Sequence, residues 1–222
     1  MKAARFHARE DVRIDDLPEP ETREGAVKIK VDWCGICGTD LHEYLEGPIF
    51  TPAEVPHPLT GERNPVQLGH EFAGHVTEVG RGVTGFAEGD AVTVEPTLFC
   101  GECAECRAGL TNLCPSLGFH GLSGGGGGFA EYTAVPASMV RPLGQVPTDL
   151  GAPSSSRWRW GRAGRRLGGV RRHARGRDRG DPDHADDLID VGFFITRIKL
   201  VDGGFHELIQ NKDEHVKVLV QP

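Results

Sequence analysis

The chain has 222 residues, 38% hydrophobic and 26% charged, with a formal net charge of −7. The apolar share is low but sufficient for a core, and no apolar run approaches the roughly 20 residues of a membrane-spanning helix. The first residues, Met1-Lys2-Ala3-Ala4-Arg5-Phe6-His7, hold no apolar stretch of the kind that opens a secretory leader. The expectation is therefore a cytoplasmic protein whose cysteines serve metal, not disulfides.

Charge is unevenly spread. Residues 1–150 carry 11 Lys and Arg against 22 Asp and Glu, whereas residues 153–180 carry ten Arg against a single Asp.

In chain order, residues 2–6 read as a first strand. Residues 12–17 begin as an alternating strand that Pro18 and Pro20 stop. Residues 27–31, Val-Lys-Ile-Lys-Val, alternate as a half-buried strand and run into Cys34-Gly-Ile-Cys37-Gly-Thr39-Asp40-Leu-His42, a stretch dense in groups of chemical use. Residues 47–66 hold five prolines without any period and read as an irregular loop. Residues 68–80 form a glycine-interrupted strand containing His70-Glu71. Residues 91–94 and 129–135 supply two more. Short strands, Gly/Pro turns and few helical patterns make residues 1–150 a mainly β domain, a barrel or sandwich. The run Gly124 to Gly128 reads as a flexible loop and not a phosphate cradle, since it precedes a strand and lacks the third glycine of a dinucleotide fingerprint.

Two groups carry chemistry. Cys100-Gly-Glu-Cys103-Ala-Glu-Cys106, closed by Cys114, places four thiols within fifteen residues. Two-residue gaps let thiolates turn inward on tight knuckles around one zinc, and four protein ligands leave no open position, so this site is structural. Two disulfides are the alternative. The second group is Cys37 and His70, plausible ligands of a zinc that keeps one position open, with Asp40 placed to orient the histidine and Thr39 and His42 to pass a proton. A satisfied surface histidine and a buried free thiol are the alternative there.

Residues 153–181 contain ten arginines, six glycines, Trp158, Trp160 and three consecutive serines, without Lys or Glu. This composition cannot build a core and reads as disordered. Residues 200–209 suggest a short helix capped near Asp202, and residues 215–220 a closing strand.

These residues together resemble the zinc-dependent medium-chain alcohol dehydrogenases, nearest to the butanediol and sorbitol dehydrogenase branch. The resemblance rests on the Cys34–His42 motif, Gly69-His70-Glu71-Phe-Ala-Gly74, the four-cysteine loop and Phe129-Ala-Glu-Tyr132. Gly204-Phe205-His-Glu-Leu-Ile and Lys212-Asp-Glu-His-Val-Lys-Val-Leu-Val220 resemble the family's C-terminal end. It implies a GroES-like catalytic domain over residues 1–152, NAD(P) as cofactor and a secondary alcohol or diol as substrate. By matching position, Cys37 and His70 would hold catalytic zinc, with Glu71 a nearby carboxylate able to substitute as a third ligand. Cys100, Cys103, Cys106 and Cys114 would hold structural zinc. Thr39 and His42 would relay the alcohol's proton while the alkoxide gives hydride to the nicotinamide.

The resemblance also marks departures. A full member carries about 150 further residues, a doubly wound nucleotide-binding domain, between the two matching parts. Its third zinc ligand, a glutamate shortly after residue 150, meets Pro153-Ser-Ser-Ser-Arg-Trp-Arg-Trp-Gly161 here. Codons for residues 152–161, read one frame over, permit Ala-Leu-Val-Glu-Pro-Leu-Ala-Val-Gly. The expectation is that residues 153–187 are an out-of-frame segment followed by a family tail, residues 188–222, that packs on the catalytic domain. A gene with an intact frame there would overturn this. Two alternatives follow: a non-catalytic zinc-binding remnant, and a basic arm that binds nucleic acid. Family dimers form largely through the nucleotide-binding domain, so the oligomeric state stays open.

Overall fold

The computed structural model describes residues 1–153, the backbone of residues 195–199, and residues 217–222. The arginine-rich segment beyond Pro153 and the helix expected at residues 200–209 lie outside these residues.

A three-stranded sheet runs in the order β2 (Asp11–Asp16), β1 (Lys2–Ala8), β4 (Val66–Gln67). A seven-stranded sheet is organised around β3 (Ala26–Ile36). On one side β3 pairs antiparallel with β5 (Glu71–Val79), which continues to β6 (Ala91–Val94) and β10 (Val140–Pro142). The other side of β3 is shared. Residues Ala26 to Lys30 pair with β9 (Tyr132–Pro136), and Cys34 to Ile36 pair with β12 (Lys217–Gln221). Strand β11 (Ile195–Lys199) lies parallel to β12 at the sheet's end. The closing strand expected near residue 220 is thus present and hydrogen-bonded to the motif that carries Cys37.

Alternation in the sequence explains these strands. Val27, Ile29 and Val31 are buried while Lys28 and Lys30 are not, as a period of two requires. Phe6, Ile29, Leu68, Phe72, Leu122 and Phe129 fill the main core. A smaller cluster of Ala73, Leu143, Ala152 and Leu219 joins the C-terminal strand to the first 152 residues.

One helix was not anticipated, and one expectation needs correction. The stretch after Cys37 forms helix α1 (Gly38–Glu46). Leu41, Tyr44 and Leu45 recur at helical spacing, but this stripe spans little more than one turn, and the fully buried positions are Asp40 and Glu43. The glycine run is no loose loop. Most of it is buried, and a Cβ on Gly128 would come within 2.6 Å of the Phe72 side chain. Close packing accounts for Gly127 and Gly128, whereas Gly124, Gly125 and Gly126 adopt a positive φ.

Candidate metal centres and cavity

The four-cysteine loop follows β7 (Thr97–Leu98) and includes the one-turn helix α2 (Ala104–Arg107). Backbone N–H groups point at the sulfurs: Cys103 N donates to Cys100 Sγ, Cys106 N to Cys103 Sγ and Cys100 N to Cys114 Sγ, each at 3.4 Å. Such donors favour thiolate. N–H groups of Glu102 and Cys103 lower Cys100 to about 7. The four ligand atoms lie within 4.8 Å of one another. Cys100 Sγ is 3.9 Å from Cys106 Sγ and 3.6 Å from Cys114 Sγ. Zinc–sulfur bonds of about 2.3 Å give a tetrahedral edge of roughly 3.8 Å, while a disulfide needs about 2.05 Å. All six cysteines are free thiols, so the disulfide alternative is not what the chain adopts.

Cys37, His70 and Glu71 form the second group, with donor atoms again within 4.8 Å. Cys37 lies between β3 and α1, where the Asp40 carboxylate accepts its N–H at 2.8 Å. This closes the helix start in the manner of a capping box, with Cys in place of the usual Ser or Thr. His70 and Glu71, both buried, begin β5. Gly69 sets their position. It has φ of +93°, and a Cβ there would meet Phe129 N at 2.6 Å and Cys34 Sγ at 2.7 Å, so only glycine fits. Cys34 itself is fully buried in the core.

Asp40 is fully buried, and its Oδ1 stands 3.5 Å from His70 Nδ1. Neither atom has a hydrogen bond. Burial works against a charged His70, but the Asp40 carboxylate and then Cys37 outweigh it and raise His70 to about 10. For Cys37, burial works upward, yet the hydrogen bond with His70 helps bring the net value below that of an ordinary thiol. The surroundings favour positive charge between these groups, which is what a metal cation supplies in place of a proton.

The cluster opens on a cavity of about 240 Å³. Thr39 lines it, with its hydroxyl 3.8 Å from Cys37 Sγ. His42 does not line it and is exposed, three residues along α1. Lining residues that sequence reading missed are Phe50, Glu95, Thr97, Phe119 and Leu122. Phe50 and Phe119 meet edge to face, with centroids 5.6 Å apart. The buried Glu43 carboxylate holds Phe50's loop, accepting from the N–H groups of Ile49 at 3.1 Å, Phe50, and Thr51 at 3.3 Å, and from the Thr51 hydroxyl at 3.0 Å. Nothing local in the sequence links residues 43, 50 and 119.

A family profile described as "Alcohol dehydrogenase GroES-like domain" matches residues 23–145. The chain is similar to the (R,R)-butanediol dehydrogenase of Bacillus subtilis (strain 168), with 54% identity over 143 residues, covering 64% of this chain and 40% of that protein. It is 47% identical over 154 residues to the (R,R)-butanediol dehydrogenase of Neisseria gonorrhoeae (strain ATCC 700825 / FA 1090), covering 68% of this chain and 44% of that one. The chain thus spans less than half the length of these curated relatives. Among solved structures, 2R,3R-butanediol dehydrogenase from Bacillus subtilis superposes with a TM-score of 0.78 at 28% identity, covering 100% of this chain and 99% of that one.

Proposed function

This chain belongs to the zinc-dependent medium-chain alcohol dehydrogenases, on the butanediol dehydrogenase side of the family, and from that membership we propose that it is the zinc-binding catalytic part of an alcohol or diol dehydrogenase. The observation that carries this reading is the meeting of Cys37, His70 and Glu71 at one end of a cavity that Thr39 also lines.

Three donors of this kind suit a metal that keeps one position for substrate. Bound there, zinc would act as a Lewis acid and lower the pKa of an alcohol oxygen. Asp40 would engage Nδ1 of His70 and leave Nε2 for the metal, fixing the tautomer. The Thr39 hydroxyl would take the alcohol's proton, and His42, exposed on α1, would deliver it to solvent. Phe50, Phe119 and Leu122 would keep water from the reacting carbon. The four cysteines would hold a second, structural zinc.

NAD(P) is the hydride acceptor that family membership implies. Among the described residues there is no doubly wound parallel sheet, and the only parallel strand pair is β11 with β12. That arrangement favours a second reading, a zinc-binding remnant without catalysis. Losing the positioning of a hydride acceptor removes an effect that can reach about 7–11 kcal/mol of barrier. The division into residues 1–152, an out-of-frame 153–187 and a tail 188–222 is part of this second reading.

Zinc per chain after exhaustive dialysis, with NADH binding followed on the same sample, tests both. Two zinc ions per chain are expected, and one would overturn the proposed site at Cys37. NADH bound to the chain would overturn the remnant reading, while its absence would support it.

A further inference from the structure

Helix α1 carries two buried acids one turn apart: Asp40 faces His70, and Glu43 faces the loop that brings Phe50 to the cavity. Residues 49–51 belong to no strand or helix, so their N–H groups have no ladder to join. The Glu43 carboxylate takes all three. Its Oε1 accepts from Ile49 N at 3.1 Å, from Phe50 N, and from Thr51 N at 3.3 Å, while Oε2 accepts from the Thr51 hydroxyl at 3.0 Å. That hydroxyl in turn accepts from Asn64 Nδ2 at 3.3 Å. Gly47 leaves the carboxylate its room, since a Cβ there would come within 2.7 Å of Glu43 Oε2. From the other side, Ser123 Oγ donates to Phe50 O at 3.2 Å and accepts from Phe119 N at 3.1 Å. Phe50 is thus held at both its N–H and its C=O, with its ring edge to face on Phe119.

The Phe50 ring stays 45% exposed. A ring so little enclosed has few core contacts to fix it, so its place at the cavity depends on the backbone that carries it. A buried carboxylate is unfavourable unless several donors compensate it. Here those donors come from the one loop that supplies the ring. Loss of the carboxylate orphans three N–H groups, which regain partners by turning to water, and Phe50 moves with them.

We propose that Glu43 is a positioning residue for the cavity: through residues 49–51 it holds Phe50 against Phe119, and this aromatic wall sets the affinity for the apolar part of a ligand whose donor atom sits at the Cys37–His70–Glu71 cluster. The inference rests on the proposed metal site and deepens it by assigning what selects among ligands there.

Imidazole and 4-phenylimidazole offer the same kind of nitrogen to an open metal position and differ by one ring. The test loads the full chain with Co(II) and follows its visible absorption during titration with each. A site with four protein ligands has no room for either, so the band that moves belongs to the open site. The unaltered chain should bind 4-phenylimidazole more tightly than imidazole. Phe50→Leu and Glu43→Ala should each cut that ratio of affinities about two- to tenfold, the scale of one aromatic contact. Glu43→Gln, which keeps the reach and one acceptor oxygen, should lower it less, and it carries the test should Glu43→Ala fail to fold. Adding Glu43→Gln to Phe50→Leu should lower the ratio no further, because one residue acts through the other. Equal affinity for both ligands in the unaltered chain, a ratio that survives Phe50→Leu or Glu43→Gln, or losses that simply add in the double variant would overturn this inference and leave the metal site standing. No imidazole-sensitive cobalt band in the unaltered chain would overturn the metal site and this inference with it.

Discussion

Asp40 does two jobs from one buried position: Oδ2 accepts the Cys37 N–H, and Oδ1 faces His70 Nδ1 at 3.5 Å. Replacing it by Asn keeps the shape and removes the charge that steadies a histidine ligand. Asp40→Asn is expected to weaken zinc at the open site about 10–100-fold, measured by competition with a chromogenic chelator, because partners behind a metal ligand contribute on that scale. His120 shows the opposite electrostatic case. It is buried against Phe72 with Nε2 2.9 Å from Thr133 Oγ1, and burial lowers its pKa from 6.5 to about 4. Between those values the unfolded chain takes up a proton that the folded chain refuses. The contribution of His120 to stability is therefore fully present above about pH 6.5 and is lost as pH falls towards 4, costing about 2 kcal/mol between pH 7 and pH 5. Urea midpoints at those two pH values check this. The His120→Gln variant should lack that part of the pH dependence, and an unchanged slope would rule the account out.

At the scale of elements, the four-cysteine loop has little else to hold it. Nothing in α2 is buried, and Phe99, Leu110 and Leu113 stand 45%, 49% and 57% exposed. Metal removal should therefore loosen this loop while the sheets remain. Chelation is expected to make residues 100–114 sensitive to limited proteolysis with the far-ultraviolet dichroism of the strands kept, and Cys103→Ser should reproduce the effect without chelator. Helix α1 teaches a different lesson about legibility. Its chemistry was plain in Cys37, Thr39, Asp40 and His42, but its helical nature was not, because its apolar residues Leu41, Tyr44 and Leu45 span little more than one turn. Strands β3, β5 and β6 were readable because their alternation matches a sheet with one buried face. The glycine run was misjudged because a sequence shows that side chains are absent without showing what fills the space; here it is Phe72, Leu68 and His120.

Across the whole molecule, β12 pairs with β3, the strand that leads directly into the candidate metal ligand Cys37. Val218, Leu219 and Val220 pair with Ile36, Gly35 and Cys34, and Leu219 is fully buried beside Ala73, Leu143 and Ala152. Leu219→Ala should lower stability by about 2–5 kcal/mol in urea unfolding, the usual cost of emptying a buried leucine site. A change below about 0.5 kcal/mol would mean that this seam does not support the fold.

The sequence by itself determined the mainly β class and the four-cysteine group, because strand alternation and close ligand spacing are local properties that short windows record, while Cys37, Thr39, Asp40, His42, His70 and Glu71 were singled out as a set by the family resemblance. The tertiary structure alone decided that Cys37 and His70-Glu71, more than thirty positions apart, share one cavity, that Asp40 faces His70 from behind, and that Glu95 stands at the same space. Those relations depend on the register between β3 and β5, where Gly35 lies opposite Glu71, and on the close approach that Gly69 permits. Register and close approach are set by how the whole core packs, and no window of the sequence contains that packing.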